Sequence, residues 1–560
     1  MCADDEPGDP EAVLQARFGY AALRPPQRRA ISAVLRGRDV LVVMPTGGGK
    51  SLCFQVPALM RPGLTIVLSP LVSLMKDQVD TLVRKGIPAA GLHGGLSAGE
   101  QADALARARA SDVRLLYVAP ERLAAGRTLA ALARMRIALL AVDEAHCISE
   151  WGHDFRPAYR SVAAFRGPLG SPPTIALTAT ATPEVRADIV AVCALRDPVR
   201  VTAGFDRPNL HYVVRRVARD GPRDAVVASL IADRGGAAVV YAQSRRRVER
   251  LAAALRRAGA GAVAYHAGQA AHIRRRTQER FMGGDADVIV ATNAFGMGVD
   301  KPNVRIVVHD AISPSLESYY QEAGRAGRDG GASRCVLLYA PSDRNSPDHF
   351  IAASAPARGL VEGVYRLACA GGAAPVDPAA VARALRAQGA EVDGAVTLLL
   401  RARALVDDRG AAGRVHVRLL ATPERIAATL RPEEAARELL RAAWRVSHGR
   451  IATGAEIALD ALPPGLGAIN VAGVLDGLRA RSLVTWQYPG RGIKAAAPRR
   501  TIEEWGIDWG ALAERRRIAQ RRLAEMIRYA ETRGCRRAVL LGYFGDRVAG
   551  GSCGNCDRCG

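Results

Sequence analysis

Short apolar runs alternating with helix-length amphipathic segments constrain this chain more than any other feature. Val40 to Val43, Thr65 to Leu68, Val113 to Val118, Leu139 to Val142 and Thr174 to Leu177 are such runs. After Val201 the rhythm restarts with Ala237 to Tyr241, Ala262 to Tyr265, Val288 to Ala291 and Arg305 to Val308. Apolar runs bounded by helical segments are buried parallel strands covered on both faces. The expectation is therefore an α/β chain with two tandem doubly wound lobes, residues 1–205 and 206–350. Beyond about residue 350 the texture changes to mainly helical modules. Asp377 and Pro378 make an N-cap and first-turn pair, with Val381 and Leu385 on one face of the helix they open. Val396, Leu399 and Leu400 form a second helical face before the strand-like Ala404-Leu405-Val406. Val471, Val474, Leu475 and Leu478 lead similarly into Leu483 to Tyr488 and a Pro489-Gly490 turn. Two winged-helix-like modules are expected, at 351–430 and 431–500, then a helical module at 501–560 whose Arg515, Arg516, Arg517, Arg521 and Arg522 give it a basic surface.

Charge limits the partner. The 560 residues hold 78 Lys plus Arg against 55 Asp plus Glu, a net +23. Such an excess suits a polyanion, whose binding is driven by counterion release. The first ten residues are acidic and lack the apolar stretch of a signal peptide. No apolar run approaches the roughly 20 residues that span a bilayer. The ten cysteines are mostly dispersed, which fits a reducing cytoplasm. A cytoplasmic, nucleoid-associated chain without membrane contact is expected.

Two segments carry nucleotide chemistry. Thr46-Gly47-Gly48-Gly49-Lys50-Ser51 lies between a strand and a helix, the context of a phosphate-binding loop. Its glycines let backbone N–H groups approach phosphate oxygens; Lys50 can neutralise the β and γ phosphates and Ser51 can ligate Mg²⁺. Met44 stands where the general pattern has glycine. Downstream, Leu139 to Val142 runs into Asp143-Glu144-Ala145-His146. A carboxylate at the end of a buried strand can hold Mg²⁺, and Glu144 beside it can orient and deprotonate an attacking water. ATP hydrolysis is the implied chemistry, with ATP and Mg²⁺ as its requirements. The next residues, Trp151, His153, Phe155 and Arg156, combine rings that stack on bases with a phosphate-seeking guanidinium, a grip that tolerates any sequence.

With these motifs in order, the chain resembles a RecQ-family DNA helicase of superfamily two. Phe18-Gly19-Tyr20 with Arg24 and Gln27 is similar to the family's adenine-reading motif, and Leu68 to Gln78 to the motif that touches the DNA backbone. Thr178-Ala179-Thr180-Ala181 resembles the motif linking hydrolysis to lobe movement, and Val290 to Asp300 and Tyr320 to Gly330 are close to second-lobe forms. The resemblance covers residues 12–345. It implies that Arg325 and Arg328 face ATP from the second lobe, that His146 and Gln321 belong to the catalytic set, and that Trp151 to Arg156 form an aromatic-rich loop sensing single-stranded DNA. It also implies 3′-to-5′ translocation and unwinding of duplex or forked DNA in recombination and repair, with a monomer expected.

Cys553, Cys556 and Cys559 stand at C-x-x-C-x-x-C spacing, with Cys535 upstream. Four thiolates suit a closed structural Zn²⁺ site, whereas a ferredoxin-type cluster expects a further Cys-Pro. RecQ relatives carry similar text as a zinc module. There, however, the zinc module commonly follows the second lobe almost directly and a winged helix follows the zinc. Here about 180 residues intervene before Cys535 and only Gly560 follows Cys559. The candidate strand-separating element is the hairpin-like segment from Trp486 to Lys494, with Trp486, Tyr488, Arg491 and Lys494 around its turn; the alternative is an ordinary wing with Trp486 in the core. The alternative function is a DNA-stimulated ATPase that translocates or remodels nucleoprotein without separating strands.

Overall fold

The computed structural model describes residues 9–45, 47–124, 126–149, 157–218, 223–296, 301–371, 376–408, 414–431, 434–462, 471–481, 483–487 and 492–560. It divides into two compact units, one of residues 1–347 with 521–560 and the other of residues 348–520.

The first unit contains two parallel sheets. One holds β1 (Val40–Val43), β2 (Leu64–Leu68), β3 (Ala89–Leu92), β4 (Leu115–Val118), β5 (Ile137–Val142), β6 (Thr174–Thr178) and β7 (Val199–Thr202), in the order β3-β4-β2-β5-β6-β1-β7. The other holds β8 (Leu210–Arg216), β9 (Ala237–Tyr241), β10 (Ala262–Tyr265), β11 (Val288–Ala291), β12 (Val304–His309) and β13 (Ser333–Tyr339), in the order β10-β11-β9-β12-β13-β8. Their central strands are buried on both faces, which is why they read as unbroken apolar runs. Order matters for function. Because β6 lies between β5 and β1, the carboxyl ends of three strands sit side by side, and the Met44 N–H donates to the Thr178 carbonyl at 3.1 Å. Ligands of open α/β sheets bind in the crevice at such strand ends. Three strands of this unit, β3, β7 and β8, carry no strong apolar run bounded by turns, because polar or small residues interrupt them, whereas β13 holds such a run, Cys335 to Tyr339.

Residues 521–560 return to the second sheet. Cys556 forms a parallel bridge with Tyr212 of β8, and the Asp557 N–H donates to the Tyr212 carbonyl at 3.1 Å. The zinc-type segment thus covers the exposed edge of that sheet. Arg537 donates to the Leu210 carbonyl at 2.6 Å, and Phe544 stacks on Phe205 with ring centroids 4.7 Å apart. Arg522, expected on a basic surface, turns inward and sits 3.7 Å from Glu317.

The second unit has an exchange of strands. Its first half packs the helices Arg358–Ala370, Pro378–Ala384 and Gly389–Arg401 with β14 (Leu405–Asp408). Asp377 caps the second of these helices, its carboxylate accepting the Ala379 N–H at 3.0 Å. The second half packs the helices Pro423–Thr429, Ala435–Val446 and Val471–Ala480 with β15 (Arg414–Leu419), β16 (Ala455–Ala458) and β17 (Val484–Gln487). β15 follows β14 in the chain, yet it pairs with β16 and β17. β18 (Gly492–Ala495) follows β17, yet it pairs antiparallel with β14, and its Ile493 bridges Val376. Each half is completed by a strand that lies in the other's stretch of sequence. The cores explain it: Val415 and Val417 are buried among Leu439, Leu475 and Val484, while Ile493 is buried among Val381, Val396 and Leu405. Strand pairing therefore crosses the module boundary expected between residues 430 and 431. The Trp486 to Lys494 segment is likewise not a paired hairpin, because β17 and β18 belong to different sheets; Tyr488 to Arg491 lie outside the described residues.

Among the described residues no helix is long and apolar enough to cross a membrane.

Candidate nucleotide and zinc sites

The phosphate loop leaves β1 through Met44 and Pro45. Gly47 and Gly49 have φ of +81° and +75°, a region in which side-chain-bearing residues are strained. A Cβ on Gly48 would lie 2.9 Å from the Pro45 carbonyl oxygen, and one on Gly49 only 2.3 Å from Gln27 Nε2. Lys50 Nζ donates to the Met44 carbonyl at 3.2 Å, so Met44 contributes its backbone where the general pattern has glycine. Burial lowers the Lys50 pKa, and the carboxylates of Glu144 and Asp143 oppose that shift. Ser51 opens the helix Leu52–Met60 without a side-chain capping bond. Thr46 lies outside the described residues.

Arg24 and Gln27, read from the sequence as adenine contacts, are held on the loop itself. Gln27 Nε2 donates to the carbonyls of Gly48 and Gly49, each at 3.1 Å, while its Oε1 accepts the Arg24 N–H at 2.9 Å. Arg24 also donates to the Gly47 carbonyl at 3.3 Å.

At the end of β5, Asp143 is buried. Its Oδ1 accepts the Glu144 N–H at 3.0 Å and its Oδ2 receives Gln78 Nε2 at 3.5 Å. Burial, reinforced by the adjacent Glu144, pushes its pKa up to about 7. Gln78 is in turn fixed by the Tyr117 hydroxyl, which donates to its Oε1 at 2.7 Å and receives Gln55 Nε2 at 3.4 Å. Sequence reading placed Gln78 in a DNA-facing motif and missed this link; Tyr117, in the middle of an apolar strand, gave no signal of it.

Glu144 has φ of +46°, a strained conformation for a residue with a side chain. Burial would raise its pKa, but the hydrogen bond and charge of His146, with Lys50 and Arg325, hold it below the usual carboxylate range. His146 is fully buried. Its Nδ1 lies 3.3 Å from Glu144 Oε2 and 3.0 Å from Thr178 Oγ1. Burial would lower its pKa; the Cys147 sulfur and the Glu144 carboxylate outweigh that and raise it. Thr178 Oγ1 donates to the Thr180 carbonyl at 3.1 Å, and Gln321 Nε2, from the second lobe, donates to Thr180 Oγ1 at 3.0 Å. A hydrogen-bonded line therefore runs from the DEAH carboxylate across to the other lobe.

Arg325 and Arg328 follow the helix Leu316–Ala323. Arg328 Cγ lies 3.9 Å from where a Gly47 Cβ would stand, and its charge acts on Lys50. Arg325 is buried and its charge acts on Glu144. The structure thus gathers Lys50, Asp143, Glu144, His146, Arg325 and Arg328 at one crevice, with Gln321 reaching it through Thr180. Trp151, His153, Phe155 and Arg156 lie outside the described residues, as do Met297 to Asp300.

The second site is the cysteine cluster. The sulfurs of Cys535, Cys553, Cys556 and Cys559 all lie within 4.8 Å of one another. A tetrahedron of Zn–S bonds about 2.3 Å long sets its sulfurs about 3.8 Å apart, so four converging thiols fit zinc. Cys535 caps the helix Arg536–Tyr543, its sulfur accepting the Ala538 N–H at 3.4 Å. Outside the ligands, Asp557 accepts Arg536 Nε at 2.9 Å and the Val214 N–H at 3.0 Å, tying the cluster to β8. Cys147 is a packed core residue.

Two parallel lobes, a phosphate loop, a DEAH box and second-lobe arginines at one crevice define a superfamily-two helicase core. Family models agree: a DEAD/DEAH box helicase model matches residues 24–189, a helicase conserved C-terminal domain residues 223–330, and a RecQ zinc-binding model residues 497–560. The chain is 43% identical over 332 residues to the ATP-dependent DNA helicase RecQ of Haemophilus influenzae, covering 59% of this chain and 53% of that protein. It is 46% identical over 336 residues to that of Bacillus subtilis, covering 60% and 56%. A crystal structure of the DUF1998 helicase MrfA bound to DNA and AMPPNP superimposes with a TM-score of 0.52 at 20% identity, over 62% of this chain and 53% of that one, a likeness of fold. Over these segments the chain is similar to RecQ-type DNA helicases. It spans about half the length of the curated relatives it matches.

Proposed function

We propose that this chain is an ATP-dependent DNA helicase that translocates 3′-to-5′ on single-stranded DNA and unwinds duplex or forked DNA in recombination and repair. The proposed setting is the cytoplasm, in association with the nucleoid, with the chain acting as a monomer. One observation carries the reading: the line Glu144–His146–Thr178–Thr180–Gln321 joins the catalytic carboxylate of one lobe to the other lobe. A motor needs that link, because hydrolysis must be converted into relative motion of two gripping bodies.

In this reading Lys50 and the loop N–H groups hold the phosphates. Ser51 and Asp143 would hold magnesium, which would supply charge neutralisation at the phosphates. Glu144, kept ionised by His146, accepts the proton of the attacking water. Arg325 and Arg328 stabilise the charge that develops on the γ-phosphoryl group. Gln27 and Arg24 exchange their loop carbonyl contacts for adenine when nucleotide enters, so the loop is stapled until its substrate arrives. Trp151, Phe155, His153 and Arg156 grip the strand.

The test is strand separation on a forked duplex with a 3′ single-stranded arm, with ATP and Mg²⁺, beside Lys50→Ala. Unwinding that Lys50→Ala abolishes supports the reading. DNA-stimulated hydrolysis without unwinding replaces it with a translocase that remodels nucleoprotein.

A further inference from the structure

Residues 331–496 lie outside all three matched family segments. Within them the helix Ala435–Val446 is sharply two-faced. Leu439, Leu440, Ala442 and Ala443 are buried in the core of the unit's second half. The opposite face exposes Glu438, Arg441, Trp444 and Arg445, and exposed His448 and Arg450 continue it beyond the helix end. Among the described residues Arg441, Arg445 and Arg450 form no ion pair, and the nearby acid Glu434 is occupied by Arg481 at 2.9 Å. Arg441 and Arg445 are one turn apart, about 6 Å along the axis.

Trp444 distinguishes this face from an ordinary solvated one. It is 41% exposed, whereas Trp486, Trp505 and Trp509 are each partly buried against a core. Its position is also built. Ser447 Oγ and the Gly449 N–H both donate to the Trp444 carbonyl, at 3.2 and 2.9 Å. Gly449 has φ of +78°, and a Cβ there would stand 3.2 Å from Trp444 Cζ2, so the indole rests on the bare glycine. An aromatic plane held in place, half open to solvent and ringed by unneutralised cations, is the chemistry that binds an unstacked base and its flanking phosphates.

We propose that Trp444, Arg441, Arg445, His448 and Arg450 form a second binding site for single-stranded DNA, within the unit of residues 348–520. A duplex offers phosphates but no open base face, so the exposed indole favours the single strand. The site goes beyond the helicase reading and does not depend on ATP turnover.

The experiment uses the full chain, with a fluorescent oligothymidylate and a blunt duplex as probes, each titrated across a salt series by anisotropy. Trp444→Ala should weaken oligothymidylate binding about 10-fold, within the range of one lost stacked base, and Trp444→Phe should largely restore it. The pair Arg441→Glu with Arg445→Glu should lower the slope of log affinity against log salt by about 1.4, two single-strand phosphate contacts. ATP turnover without DNA should stay at the parent level in all three, which shows that the motor unit is intact, and a parental far-ultraviolet circular dichroism spectrum and melting curve show that the unit of residues 348–520 folds. Parental affinity and slope in both the Trp444→Ala and double-arginine variants would overturn the site, as would a loss confined to the duplex. If Lys50→Ala leaves hydrolysis intact while Trp444→Ala still weakens oligothymidylate binding, the helicase reading fails and this site stands.

Discussion

Asp557→Ala should release the zinc module from the second lobe. Arg536 is buried, with its side chain 1% exposed, and Asp557 meets it through Nε at 2.9 Å and through a second nitrogen at 3.3 Å. Once the carboxylate is gone, the guanidinium keeps only the carbonyls of Tyr529, at 2.6 Å, and Ala530, at 3.3 Å. Removing one partner of a buried ion pair costs about 3–5 kcal/mol, because a charge is left without its counterion. Asp557 is 18% exposed, so water recovers part of this and the lower end, about 3 kcal/mol, applies. The Val214 N–H on β8 also loses its acceptor, about 1 kcal/mol more. Together, about 4 kcal/mol is about three powers of ten in an equilibrium. Zinc release to a coloured chelator, if it proceeds through opening of the module, should accelerate by that factor. Adding Arg536→Met removes the stranded charge, and the double variant should hold zinc better than Asp557→Ala alone. This second variant separates the ion pair from any direct effect on the loop between Cys556 and Cys559, which Arg536→Met would not repair. Parental zinc retention in Asp557→Ala, or a double variant that loses the sum of both single effects, would refute the reasoning.

Three further outcomes follow from the nucleotide site. Gly49→Ala places a Cβ 2.3 Å from Gln27 Nε2 at a φ of +75°; strain of about 1–3 kcal/mol should raise the KM for ATP about 10- to 100-fold, read from steady-state turnover. Gln78→Leu strips the Tyr117 hydroxyl and Asp143 Oδ2 of a partner; a loss of about 1 kcal/mol should raise the KM for Mg-ATP several-fold, with kcat at saturating Mg²⁺ near the parent value. An equal fall in kcat would mean that Gln78 does more than position the metal carboxylate. Gln321→Ala cuts the bond to Thr180, so DNA should stimulate turnover less while the DNA-free rate holds. Thr180→Ala should give the same ratio, and normal stimulation in both would show that the lobes communicate elsewhere.

Which parts were legible follows from which residues advertise themselves. Buried parallel strands read directly, because two covered faces demand unbroken apolar runs such as Val40–Val43 and Val288–Ala291. The phosphate loop, the DEAH box and the four cysteines read through spacing, since their chemistry fixes the distances between ligands. Partnerships between distant segments did not read. Nothing local to Gln78 or Tyr117 announces that they meet at Asp143, and Gln27 gave no sign that its amide would close on the glycine carbonyls. The exchange of β15 and β18 was hidden for a related reason: each lies next in the chain to the strand it would form a hairpin with, and only the destination of Val417 and Ile493 in opposite cores reveals the crossing.

The order of the modules raised the question of how a zinc module can serve a motor from which about 170 residues separate it. A module joined directly to the second lobe docks with little entropic loss. Closing a flexible loop of this length would cost about 4–5 kcal/mol by the logarithmic rule, and a folded insertion costs less because its own ends are already fixed. The docking contacts are sufficient for that scale. Cys556 extends the β8 edge, Arg537 reaches the Leu210 carbonyl, Phe544 stacks on Phe205 and packs at a tilt against Tyr320, and the Tyr543 hydroxyl donates to Glu317 at 2.7 Å. Phe544 also ties the module to both lobes, since its carbonyl accepts Arg186 from the first lobe at 2.7 Å while its ring meets Tyr320 of the second. The zinc module therefore docks on the second sheet across the intervening residues, because the specificity of docking lies in these side chains and not in the length of the connection.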